Sequence, residues 1–296
     1  MLFYLILIQI FMNRVLVTGG SGQLGMCFNY IKADHPEILF HFLDIDKLDI
    51  TDYESTMNYI KKQNFKFIIN CAAYTQVDMA EDEPNKAKTI NVIGIENLVK
   101  ISKLFRIKII HISTDYVFNG LADEEIKEDH EPNPLGVYGK TKLEGENIIL
   151  NSKSESIIVR TSWLYSPYGK NFFKTILNLS KSNKNISVIN DQWGKPTFGL
   201  DLANSILKLI NSPKSFDNKI YHYSNKGVTT WHSFAKEILK LINSKSILTP
   251  IKSIDYSSKA IRPKNVALNT DLIETTLNLK IPYWKDSLKK CLKIVE

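Results

Sequence analysis

The 296 residues, 44% hydrophobic and 23% charged, suffice for a substantial core in two lobes or one large α/β unit, which excludes a disordered chain. The net charge of +7 is unevenly placed, with 15 Lys+Arg against 21 Asp+Glu in residues 1–150 and 23 against 10 in residues 151–296. A basic second half suits an anionic small molecule such as a nucleotide, whereas lysines scattered without an aromatic stripe argue against a nucleic-acid binder.

Residues 1–11 form an apolar stretch with no basic start and too few residues to span about 30 Å of hydrocarbon. Met12 then opens a self-sufficient strand, so Met12 is read as the start and residues 1–11 as an upstream extension, the rival being a short membrane-associating tail. Apolar runs at 15–18, 39–43, 67–70, 108–113 and 157–160 read as buried strands separated by helices. That alternation predicts βαβ units: a doubly wound parallel sheet of Rossmann type. Thr51-Asp52-Tyr53-Glu54 reads as a capping box opening one helix, and residues 83–105 as a single long one. Beyond Trp163 the rhythm changes, with helical stretches at 171–182 and 201–211 and extended ones at 186–189 and 220–223. Helices at 231–243, with Thr229 and Thr230 as candidate N-caps, and at 282–294 complete a smaller C-terminal lobe. The expected division is a dinucleotide-binding domain at 12–165, to which elements near 200–225 return, and a mainly substrate-binding lobe at 166–296.

Cys27, Cys71 and Cys291 lie far apart with no Cys-x-x-Cys spacing, which fits a reducing cytoplasm and argues against a disulfide framework or structural zinc. No histidine pair has ligand spacing, so no metal is expected.

The chemistry is carried by two constellations. After the first strand, Gly19, Gly22 and Gly25 form a Gly-x-x-Gly-x-x-Gly series that leads into a helix. Glycines there allow a tight turn and close approach of backbone to a pyrophosphate, with the helix N-terminus offering free N–H groups. Asp44, at the end of the second strand, can accept hydrogen bonds from an adenosine ribose. That carboxylate favours NADH on charge grounds, yet a base such as Lys47 could compensate a 2′-phosphate, so NADH and NADPH both stay open. Asp49 and Ile50 could border the adenine, and Ala73, Tyr74 and Thr75 follow the third strand at the sheet edge where open α/β folds bind ligands. The second constellation is Tyr138 and Lys142, four apart and so on one helix face, with Ser113-Thr114-Asp115 ending the fourth strand upstream. A free phenol has a pKa near roughly 10, and a neighbouring ammonium is expected to lower it. Tyr138 would then protonate a carbonyl oxygen while hydride arrives from elsewhere.

These motifs, with Gly22-Gln23-Leu24-Gly25, Leu48-Asp49-Ile50-Thr51-Asp52, Ala73-Tyr74-Thr75-Gln76-Val77-Asp78, Ser113-Thr114-Asp115-Tyr116-Val117-Phe118, Arg160-Thr161-Ser162-Trp163 and Arg262-Pro263-Lys264-Asn265, are similar in order and content to the dTDP-4-dehydrorhamnose reductases, a family of extended short-chain dehydrogenase/reductases. The resemblance implies reduction of the C4 ketone of a dTDP-linked 6-deoxyhexose. It implies Thr114, Tyr138 and Lys142 as catalytic residues, cofactor contacts from Gly19, Gly22, Gln23, Leu24, Gly25, Asp44, Asp49, Ile50, Ala73, Tyr74, Thr75, Tyr138 and Lys142, and substrate contacts from Thr114, Asp115, Trp163 and Arg262. Some members carry acidic residues for magnesium at a dimer contact, one of them just after the glycine loop. Here that helix reads Gly25-Met26-Cys27-Phe28-Asn29, so magnesium is not expected and the chain is a monomer or a homodimer. Two rivals share the pattern: a reductase of another nucleotide-linked 4-keto-6-deoxy sugar, and a non-catalytic subunit resembling the regulatory one of methionine adenosyltransferase.

Overall fold

The computed structural model describes residues 13–182, 185–212, 215–216 and 220–295, so the expected extension at 1–11 and start at Met12 lie outside the described residues. Its central sheet is built from β1 (Asn13–Thr18), β2 (Ile38–Leu43), β3 (Phe67–Asn70), β4 (Lys108–Thr114), β5 (Ser156–Thr161) and β6 (Ile220–Tyr223). Every pairing is parallel and the order is β6-β5-β4-β3-β1-β2, the doubly wound arrangement that the alternation predicts. The near-continuous apolar strands follow from cover on both faces. Val15 and Val17 enter one core with Cys27, Phe28 and Ile206, while Leu16 between them enters the other with Ile60, Leu98 and Ile101. Each such fully buried side chain contributes about 1.5–3 kcal/mol.

The helices that matter for the site are α1 (Gln23–Ile31), α2 (Tyr53–Ile60), α3 (Gly94–Phe105), α4 (Val137–Asn151), α5 (Gly199–Asn211) and α6 (Trp231–Leu241). Two expectations need correction. The N-cap of α2 is Asp52, whose carboxylate accepts the Ser55 N–H at 3.0 Å. Thr51 is instead spent on Asp49, to which its hydroxyl donates at 2.7 Å, so a nearer acceptor wins over the capping box. The stretch 83–105 is also not one helix: Pro84 starts a short helix to Lys88, and a π-turn at Thr89–Ile93 precedes α3. The π-turn carries Asn91, which clamps the Tyr74 backbone through both its amide atoms, at 2.8 and 3.1 Å.

Away from the central sheet, Asn185–Ile189 pairs with Ile247–Ile251 and Trp193–Gly194 with Thr229–Thr230. Of the two candidate caps of α6, Thr230 is the N-cap and accepts the Ser233 N–H at 3.1 Å, while Thr229 lies in the preceding strand. Among the described residues, no helix is long and apolar enough to cross a membrane.

Candidate active site

At the carboxyl ends of β1, β3 and β4 lies a cavity of about 570 Å³. It runs from Asp44 and Ile45, past Gly19 and Gly22, to Thr114, Tyr138 and Trp163. Gly19 has φ +62, and a Cβ there would sit 2.8 Å from the Ala72 nitrogen, so only glycine fits this turn between neighbouring strands. Gly22, at the N-cap of α1, has no side chain to satisfy the first N–H groups of the helix, which leaves them for a ligand. Asp44 closes the turn by accepting the Ser21 N–H at 2.9 Å through one oxygen and the Ile45 N–H at 2.8 Å through the other. Gln23, Leu24, Asp49, Ile50, Ala73 and Thr75 line the same cavity. The cradle therefore fits a dinucleotide: backbone donors where a diphosphate would lie, and a carboxylate where a ribose would lie.

Gly25, Tyr74, Lys142 and Arg262 are set back from the cavity wall. Gly25 packs on the carbonyl oxygens of Gly19 and Gly20 and so seats α1 on the turn. The Tyr74 phenol turns away and donates to Glu83 at 2.8 Å. The Arg262 guanidinium holds Asp78 bidentately, at 2.7 and 3.2 Å, a pairing that depresses the Asp78 carboxyl.

At the reacting end, α4 is brought close by Gly139, where a Cβ would collide with the Tyr116 carbonyl. A buried pair fixes the depth of the helix: Arg160 on β5 grips Glu146 on α4 at 2.7 Å, and Ser113 donates to the same carboxylate at 2.5 Å. Tyr138 is half-buried, edge-on to Tyr116 at 5.5 Å. Burial pushes its phenol up to about 12, against the lowering effect of a hydrogen bond with Thr114. The expected lowering by Lys142 is not the controlling effect in this state. Lys142 is itself buried, and loss of water brings it down to about 8. Its Nζ donates to the Ile112 carbonyl at 2.7 Å and lies 3.2 Å from His111 Nε2.

Thr114 ends β4, donates to Asp115 Oδ1 at 3.0 Å and accepts the Tyr116 N–H at 3.2 Å. Asp115 lines the cavity with Oδ2 buried and unpartnered, and burial raises its carboxyl to about 7. Trp163, in the left-handed region at φ +46, stacks on Trp231 at 3.6 Å between ring centroids and 11° between planes. Sequence reasoning missed Trp231, which starts an ordinary amphipathic helix, and missed Lys170 and Asn171, which also line the cavity. It also missed His111, which reads as one more residue of an apolar strand. No group of three or more His, Cys, Asp or Glu side chains forms a metal site among the described residues.

Residues 12–296 match the model of the RmlD substrate binding domain. The chain is 35% identical to the dTDP-4-dehydrorhamnose reductase of Aggregatibacter actinomycetemcomitans, covering 94% of this chain and 98% of that protein. It is 36% identical to the Salmonella typhimurium enzyme of the same name, with 94% and 97% covered. The crystal structure of dTDP-4-dehydrorhamnose reductase from Bacillus anthracis in complex with NADP superposes with a TM-score of 0.91 at 36% identity, over 96% of this chain and 99% of that one. Both the cavity and the whole-length likeness lead to one conclusion: the chain belongs to the RmlD substrate binding domain family, that of the dTDP-4-dehydrorhamnose reductases.

Proposed function

We propose that the chain reduces the C4 ketone of dTDP-4-dehydro-L-rhamnose to dTDP-L-rhamnose with NADH or NADPH. The observation that carries this reading is the placement of Thr114 and Tyr138 in the same cavity as the Gly19–Gly22 turn. The nicotinamide coenzyme, when bound on that turn, supplies the hydride. Tyr138 then donates to the ketone oxygen, joined by the Thr114 hydroxyl once it turns away from Asp115, and Tyr138 gives its proton as negative charge grows there, which stabilises the transition state more than the ground state. Lys142, once cationic, favours the phenolate that Tyr138 becomes.

Gly19, Gly22, Gln23 and Leu24 would hold the diphosphate, Asp44 the adenosine ribose, and Asp49, Ile50, Ala73 and Thr75 the walls of the coenzyme site. Asp115 would accept from a sugar hydroxyl, for which its unpartnered Oδ2 is free. Trp163, backed by Trp231, offers the sugar an apolar face. Arg262 would meet the substrate diphosphate by exchanging its Asp78 partner, keeping the same bidentate geometry. In this reading the six-stranded half carries the coenzyme and the second lobe the dTDP-sugar. Asp44 disfavours a 2′-phosphate by charge, while the Bacillus anthracis relative was crystallised with NADP.

The test is direct: the protein is mixed with dTDP-4-dehydro-L-rhamnose and either NADH or NADPH, and the loss of reduced-nicotinamide absorbance is followed together with formation of dTDP-L-rhamnose. Absence of both changes with both coenzymes would overturn the assignment.

A further inference from the structure

Beneath the cavity, three side chains stand side by side across neighbouring strands and lead to Lys142. Thr18 on β1 is in register with Asn70 on β3, and Asn70 with His111 on β4; all three, like Lys142, are at most 2% exposed. The bonds along this row have one consistent direction. The Ala72 N–H can only donate, and it donates to Thr18 Oγ1 at 3.4 Å; the Thr18 hydroxyl in turn donates to Asn70 Oδ1 at 2.5 Å. The Asn70 amide therefore points its NH₂ at His111 Nδ1, 3.0 Å away. Turning the amide over would take from the Thr18 hydroxyl its only acceptor along this row. A ring nitrogen that accepts carries no proton, so the neutral imidazole carries its proton on Nε2, 3.2 Å from Lys142 Nζ. An N–H donor at that position matches an amine with a free lone pair and conflicts with an ammonium. Nζ completes the row by donating to the Ile112 carbonyl at 2.7 Å.

We infer that Asn70 and His111 are positioning residues that favour the neutral amine of Lys142 over its ammonium in the coenzyme-free protein, so that the cation beside Tyr138 is weakened in that state. The inference rests on the proposed role of Lys142 and deepens it. The other groups facing Lys142 do not reverse the argument. Glu146, one turn along α4, is committed to Arg160 and Ser113, and Cys71 at the end of β3 is a thiol driven further from ionisation by burial. Burial keeps His111 itself uncharged.

The experiment uses the full chain without coenzyme, labelled with ¹⁵N-histidine and ε-¹³C-lysine, Lys142 being assigned by the signal lost in Lys142→Met. Long-range ¹⁵N spectra at pH 7.5 should show His111 as the Nε2–H tautomer. The Lys142 methylene should titrate well below the roughly 10.4 of a free lysine. Asn70→Asp puts a carboxylate against Nδ1, should move the histidine proton there, and should raise the Lys142 midpoint by at least about one pH unit. An Nδ1–H tautomer in the parent, an ordinary Lys142 midpoint, or an unmoved midpoint in a folded Asn70→Asp variant would each overturn the inference. Because no substrate or turnover enters the measurement, these outcomes are independent of whether the dTDP-sugar assay succeeds.

Discussion

Thr114, Tyr138 and Asp115 share one small volume, in which burial raises both the Tyr138 phenol and the Asp115 carboxyl. A phenol pushed up to about 12 is a weak acid that holds its proton until an oxyanion forms beside it. Tyr138→Phe should therefore lower turnover about 10²–10⁴-fold with coenzyme affinity nearly unchanged, as read from steady-state rates and a fluorescence titration of the reduced coenzyme. Asp115 gives a pH signature of its own. Its folded pKa of about 7 lies above the ordinary 3.8, so folding favours the protonated form. The associated stability is present below about pH 4 and is lost as the pH rises through 7. Asp115→Asn, uncharged throughout, should melt above the parent at pH 8, with a gap that closes as the pH falls toward 4; a gap independent of pH would refute this account.

The seating of α4 depends on the Glu146–Arg160 pair, which the strand and helix patterns only half disclose. Removing one partner leaves a buried charge alone, so Arg160→Met should cost about 3–5 kcal/mol in urea unfolding. Adding Glu146→Leu to it should recover most of that loss, because the penalty belongs to the unpaired charge. At this scale the sequence was informative wherever the signal was local. The glycine turn, the buried strands, the Tyr138/Lys142 helix face and the Thr230 cap depend on residues within a few positions of one another. What escaped depends on partners distant in the chain. Tyr74 looked like a lining residue until Glu83 claimed its phenol, Arg262 is held by Asp78 from 184 residues away, and Trp231 became part of the site by stacking on Trp163. The capping box failed for a related reason, since Asp49 offered Thr51 a competing acceptor.

For the molecule as a whole, the cavity is walled by segments far apart in the chain, the turn after β1 and the pair Lys170 and Asn171. A coenzyme bound there contacts the folded state alone, so at a concentration 100 times its Kd it should add about 2.7 kcal/mol of stability and raise the melting temperature by several degrees. A thermal-shift series with NADH and NADPH would rank the two by the size of that rise, and no rise with either would argue against the cradle. The order of the sheet has a consequence for biosynthesis. β5 ends at Thr161, but the strand that covers its open edge is Ile220–Tyr223, with residues 162–219 translated in between. At roughly 5–20 residues per second, a ribosome leaves that edge bare for about 3–12 s. During that interval the nascent chain presents unpaired N–H and C=O groups to its neighbours, an edge open to mispairing.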